Sequence, residues 1–450
     1  MKLIPIPIQK LFSEFIRCCF PNRQSYTNAI ILVLMLSLSA CADKKEPPLV
    51  GNRLNVLHYD LLKEDKQTKV EIKLPKQLHL SSWPASEVSQ FADIAPNISL
   101  AKEIKFVNQF HPKNFNASAQ DASALIVNDV LYTYSKTILS ANHLLTKKML
   151  WSVKAVQIKN IQNVFNGSLL YHQGVIYLSS GERDFLAFDA TSGKELWRFN
   201  APNVVRHIAS IKNNQIYVSS IDNTVSCLGM DGKLLWRYDA PSYSLANSHP
   251  YMPNLVYEDK VITITTAGDL VILNRHDGTE LTQVNLATTA IIGDGNLIKG
   301  PISSPILDGD FLYVLTGEGD LIKLDLASPE ISWRQNFPGV LSYWVAGNVS
   351  YLLMSDHQLL AVENNQGKII WAVDLPKSSK DKKLDIIYGP MLVGDQLLVA
   401  STNGEFFLLS PYDGKLISRH KNTFSINSMP MAVNDRLYFI SNNGVLAIWQ

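Results

Sequence analysis

Cysteine is scarce and poorly placed for crosslinking. Of the four in the chain, Cys18, Cys19 and Cys41 lie near the N-terminus, and Cys227 alone lies in the body. Residues 1–40 read as a leader that is removed, so the mature chain has no internal disulfide to rely on, even in an exporting compartment that would permit one. Cys227 then reads as a small hydrophobe on a buried strand. A charge surplus is missing as well. The formal net charge is +1, and the leader takes away Lys2, Lys10, Arg17 and Arg23 against Glu14, a net +3, which leaves −2 on the mature chain. That balance excludes the basic footprint of a nucleic-acid-binding protein. The ten histidines include no His-x-x-x-His pair, and there is no Gly-x-Ser-x-Gly elbow, phosphate loop or twelve-residue calcium loop. No catalytic residue, metal or cofactor is expected. The Asp/Gly clusters Asp308–Asp310 and Gly317–Asp320 read as hairpin turns, which favour those residues anyway.

Long apolar runs are absent too. The run Ala29–Ala40 is about a dozen residues, too short to span a bilayer and right for the core of a signal peptide. It closes with Leu38-Ser39-Ala40-Cys41, which resembles the cleavage motif of bacterial lipoproteins. That resemblance implies that Cys41 becomes the first mature residue and carries acyl chains. With Ala42 rather than Asp after it, it also implies sorting to the outer membrane. Several acyl chains anchor a protein far more firmly than one. Residues 41–97 then read as the lipidated cysteine and a polar tether, with a mean reach of about 40 Å as coil. Two islands interrupt it, Gly51–Leu57 and Leu80–Pro84, and Trp83 is expected to dock on the domain rather than stay exposed.

From residue 98 onward no helical period is present, which excludes an α-solenoid; short strands bounded by Gly, Asp and Asn turns take over. The stretch Ala187–Trp197 (Ala-Phe-Asp-Ala-Thr-Ser-Gly-Lys-Glu-Leu-Trp) reads as a strand, a turn over Ser192-Gly193-Lys194, and a returning strand that buries Trp197. Its closing tryptophan recurs as Trp151, Trp236, Trp333 and Trp371, with Thr282 and Ser418 in the same slot of two further copies. An inner turn recurs as Thr266–Asp269, Gly317–Asp320, Thr402–Glu405 and Asn442–Gly444, where glycine supplies the positive φ. Spacings of 46, 39, 46, 51, 38 and 47 residues, with four strands per unit, mean propeller blades. Seven copies end at 151, 197, 236, 282, 333, 371 and 418, and residues 428–450 supply three strands of another. The missing strand is assigned to Ile98–Val107. The expected fold is all-β: an eight-bladed β-propeller of four-stranded antiparallel blades over residues 98–450, its last blade closed by N- and C-terminal strands. The tryptophans are expected to glue one blade to the next.

The Ala187–Trp197 motif resembles the docking motif of quinoprotein-type propellers, and with the lipoprotein signal the chain resembles the BamB family of the outer-membrane β-barrel assembly machinery. That resemblance implies a non-catalytic periplasmic scaffold, lipid-anchored at the outer membrane, that binds BamA and assists unfolded barrel precursors. It also implies that loops near blades three to five make the contact, which places Tyr243, Leu245 and Leu297 as partner-binding residues. Ala246, Gly300 and Ile302 stand where that family has an arginine and aspartates. A lipoprotein propeller that binds another envelope protein or a glycan is the alternative. A quinone-dependent dehydrogenase is a third reading, weakened because the adjacent pair Cys18-Cys19 falls in the leader.

Overall fold

The repeat becomes structure through hairpins. The turn between the first two strands of a blade commonly places two successive residues at positive φ, as at Asn128-Asp129 (49° and 59°), Asn213-Asn214 (50° and 59°) and Asn434-Asp435 (51° and 59°). Asn and Asp tolerate that conformation best among residues with a side chain, and mirror-image turns match the twist of the strands they join. A computed structural model gives the structure and describes residue 65 and residues 70–86, 97–115, 122–157, 167–240, 253–286, 303–376, 386–441 and 443–450. Its described part belongs to one compact unit, Tyr59–Gln450. No helix occurs among the described residues.

Eight antiparallel sheets form, seven of four strands and one of five, and together they make an eight-bladed β-propeller. Blade two is representative: Ser168–His172 faces the hub, Val175–Ser179 and Asp184–Asp189 lie in the middle, and Glu195–Asn200 is outermost. Middle strands are buried nearly end to end, as in Phe311–Leu315 and Asp320–Asp325, because a neighbouring blade covers each face of the sheet. Outer strands alternate instead, since solvent meets one side; Glu195–Asn200 and Leu416–Lys421 show this. The core is accordingly a ring of layers between blades. Ile262 and Ile272 pack with Leu312 and Ile322 across one seam, and Leu321 and Tyr313 pack with Leu352 and Leu360 across the next.

The ring closes as expected through both ends of the chain, with one correction of position. The strand that completes blade eight is Phe106–Phe110, paired antiparallel with Leu446–Trp449, rather than Ile98–Val107. Ile98 instead bridges in parallel to Leu78 on one side and to Val393 of blade seven on the other, and is buried. An outermost strand needs only alternate burial, so Phe-Val-Asn-Gln-Phe carries a weaker sequence signal than the fully buried Ile98 nearby. Part of the segment before it also packs on the ring. Ser82–Trp83 adds a fifth strand to the hub side of blade one, and Trp83 is 1% exposed.

Candidate functional site

Each described tryptophan of the repeat reaches the following blade. Its indole Nε1 donates to a backbone carbonyl there: Trp151 to Ala190 (3.0 Å), Trp197 to Met230 (2.9 Å), Trp236 to Arg275 (2.9 Å), Trp333 to Asn364 (3.0 Å) and Trp371 to Pro411 (3.1 Å). The ring face lies on the glycine of the next blade's outer turn. At Gly193 (φ 72°) a Cβ would stand 2.5 Å from Trp151, and at Gly278 (φ 74°) 2.4 Å from Trp236. Glycine is therefore required there twice, for the backbone angle and for the approach of the indole.

A second aromatic row escaped the sequence reading. Tyr132, Tyr177, Tyr217, Tyr313 and Tyr351 stand beside Trp151, Trp197, Trp236, Trp333 and Trp371, with ring centroids 6.0, 5.9, 6.0, 6.4 and 6.0 Å apart. Between each tyrosine and its tryptophan, on the third strand, sits one residue paired with both: Ala141, Ala187, Cys227, Lys323 and Ala361. In the blades without tryptophan in that slot the trio becomes Ile262-Ile272-Thr282, Leu398-Leu408-Ser418 and, in blade eight, Tyr438-Ile448-Asn108. A small middle residue goes with two large rings in four blades, and a large one stands where the tryptophan is absent, so the row keeps its volume. The visible signal was the tyrosine at the third position of the second strand in six of the eight blades. Lys323 is the exception in size; its ammonium lies 3.8 Å from the Phe311 ring centroid and donates to the Asn364 carbonyl at 3.0 Å. At the seam from blade four to blade five, where Thr282 replaces tryptophan, Lys260 donates to the Leu326 carbonyl at 3.1 Å.

Burial holds the tyrosines and the cysteine of this row in their neutral forms. Burial pushes Tyr132 up to about 12 and raises Tyr217, Tyr313 and Tyr351 as well. Cys227 is a free, fully buried thiol, also pushed up to about 12 by burial, which makes it inert. The half-buried His420 is lowered by burial and packs against Phe406 and Trp449 at the seam between blades seven and eight. Among the described residues no group of three or more His, Cys, Asp or Glu could hold a metal ion.

The residues assigned to partner binding, Tyr243, Leu245 and Leu297, lie outside the described residues, as do Ala246, Gly300 and Ile302 and the signal residues Leu38, Ser39, Ala40 and Cys41. Strand direction still locates where their loops begin and end. The chain leaves blade three after Leu234–Asp239 and enters blade four at Leu255–Tyr257, at the same end of the ring as the turn 265–268.

Every outer strand also carries a bulge. Pairing with the third strand skips one residue, immediately before the docking position: Val107, Leu150, Leu196, Leu235, Leu281, Ser332, Ile370 and Ile417. Most of these are apolar and about half exposed, including Leu150, Leu196, Leu235, Leu281 and Ile417. Bulges twist an edge away from a flat template. The outer edges are thus less suited to accept an added strand than a plain sheet edge would be, and that weakens strand addition at the rim as a mode of binding.

Comparison with known proteins follows the same architecture. The family model described as outer membrane protein assembly factor BamB matches residues 136–373 and 296–450. An uncharacterized protein of Rickettsia prowazekii is 28% identical over 288 residues, covering 62% of this chain and 68% of that one. The crystal structure of BamB from Moraxella catarrhalis superposes with a TM-score of 0.61 at 17% identity, covering 77% of this chain and all of that one. Quinohemoprotein alcohol dehydrogenase from Comamonas testosteroni superposes with a TM-score of 0.57 at 11% identity, covering 82% of this chain and 80% of that one. At those identities the two structures testify to the fold alone.

Proposed function

The chain belongs to the family described as outer membrane protein assembly factor BamB, and from that premise we propose that it is a non-catalytic scaffold of the β-barrel assembly machinery. In this reading it docks on BamA at the periplasmic face of the outer membrane and assists the folding of barrel precursors. Acylated Cys41 holds it there, and Tyr243, Leu245 and Leu297 contribute to the docking loops. The observation that carries the reading is the family match across residues 136–450. The described side chains agree with it, since the repeated Trp, Tyr and Gly positions are used up in joining blades. Anchoring raises the local concentration of a docking face at the membrane, so a weak contact suffices.

Co-purification from detergent-solubilised membranes tests the partner: BamA should come down with the wild type, and crosslinks from positions 243 and 245 should reach it. A propeller that instead recovers a different envelope protein or a glycan, without BamA, belongs to the alternative reading. Metabolic labelling with palmitate should mark the wild type and not Cys41→Ser. The dehydrogenase reading draws only on shared fold, and among the described residues no group of three or more His, Cys, Asp or Glu is placed to hold a metal ion.

A further inference from the structure

The inner strands of a propeller present one free edge each to the hub. In this chain the segment that precedes the ring pairs with the edges of blades one and two and reaches the first turn of blade eight. The Leu80 carbonyl accepts from the Asn434 amide of blade eight at 2.8 Å. Ser82 and Trp83 then pair with Val127 and Ile126 of blade one. Past them, the Pro84 carbonyl accepts from the Tyr171 amide of blade two at 2.7 Å, and the Ser86 amide donates to the Leu169 carbonyl at 3.0 Å. Ser86 Oγ also accepts from the Leu169 amide at 3.0 Å, and Ala85 bridges Leu170. Main chain meets main chain at almost every step, which is how a sheet edge binds an extended peptide of tolerant sequence. Specificity comes from one side chain: the Trp83 indole is buried in the cluster that holds Ile126, Leu131, Met431 and Val433.

The same segment is pinned outside the hub. The Lys73 amide donates to Asn348 Oδ1 (2.8 Å), Gln77 Nε2 to Asp395 Oδ2 (2.7 Å), and the buried Asn97 donates through Nδ2 to Asp395 Oδ1 (2.6 Å) and the Pro75 carbonyl (2.9 Å). A Cβ at Gly347 would stand 2.1 Å from the Lys73 carbonyl, so that turn is shaped to the segment. Among the described residues the inner strands of blades three, four and five, Ser210–Lys212, Leu255–Tyr257 and Ile306–Asp308, carry no added strand.

We propose that the hub-facing edges of blades one and two, with the adjoining turn of blade eight, form a binding site for one extended peptide segment bearing an indole, and that residues 80–86 occupy it in cis. Tethering gives the cis segment an effective concentration on the order of millimolar. A peptide in trans is therefore excluded unless the cis segment is weakened. The proposal stands apart from the barrel-assembly reading, because it concerns the chain's own segment and needs no membrane partner.

The test uses the full chain as wild type, Trp83→Ala and Ser86→Pro, with a labelled peptide of residues 78–86 as probe and binding read by fluorescence anisotropy. Both variants should bind the peptide at least tenfold more tightly than the wild type, and a peptide with alanine for its tryptophan should not bind. Hydrogen exchange supplies the check on folding: amides of Leu169, Tyr171 and Asn434 should speed up in the variants, while the buried turn amide of Gly193, bonded to the Asp189 carbonyl, stays slow. Equal binding to wild type and variants would overturn the proposal, as would no binding to a variant whose Gly193 amide remains protected.

Discussion

A single row of residues across each blade explains why the repeat looks the way it does. Where Tyr and Trp flank the third strand, the residue between them is small in four blades, Ala141, Ala187, Cys227 and Ala361; where Thr282 or Ser418 replaces Trp, it is Ile272 or Leu408. Ala361→Ile should force a branched side chain between Tyr351 and Trp371, at a cost of roughly 1–3 kcal/mol from overpacking; a melting temperature unchanged from wild type would refute the volume rule. The indole contact itself is testable at the buried Trp236. Removing it should cost about 3–5 kcal/mol, while Thr282→Ala, in the slot without a ring, should cost below about 1 kcal/mol. Gly278→Ala should cost at least about 1 kcal/mol, because it meets both the positive φ and the Trp236 ring. In the double variant the two losses should add to less than their sum, since Trp236→Ala vacates the space the new methyl needs. Denaturant melts of the four proteins give that coupling directly.

The element that differs most from its sequence expectation is the outer strand. Alternation marks it as half-exposed, but nothing in Glu-Leu-Trp announces that pairing skips Leu196. The bulge turns the tryptophan into the seam and leaves the preceding apolar residue facing solvent. That residue, although apolar, is about half exposed at Leu196, Leu235 and Leu281. Leu235→Lys should accordingly change stability by no more than about 0.5 kcal/mol, as surface positions usually do; a loss of several times that amount in a thermal melt would mean the rim is covered. The latch strand Phe106–Phe110 tells the same story from the other side. Its need was legible, since residues 428–450 provide three strands and a blade has four, but its position was not, because an outer strand carries little apolar signal of its own.

At the scale of the whole molecule, stability is a property of closure. Each layer of core lies between two blades, so an unclosed ring exposes two sheet faces and not one. Deleting residues 428–450 should therefore abolish folding of the ring altogether rather than remove one blade. Circular dichroism and a thermal melt of the truncated chain decide this, and a cooperative transition near that of the intact protein would contradict it. The segment before the ring adds to the seam the chain termini close, because Asn97, Ile98 and Ser99 tie blade seven to blade eight through Asp395, Val393 and Asp435.

What the sequence determined by itself was the repeat: its period, its turn chemistry, the number of blades and the need for both termini to close the last one. Those features are local or arithmetic, written in hairpin turns and in the spacing of Trp151, Trp197, Trp236, Trp333 and Trp371. Only the tertiary structure decided which residues meet across a seam, where each outer strand slips its register, and that Trp83 is buried at the hub. Such contacts join residues tens to hundreds of positions apart. The free energy that selects them belongs to the closed ring, in which each blade supplies the surface its neighbour must cover.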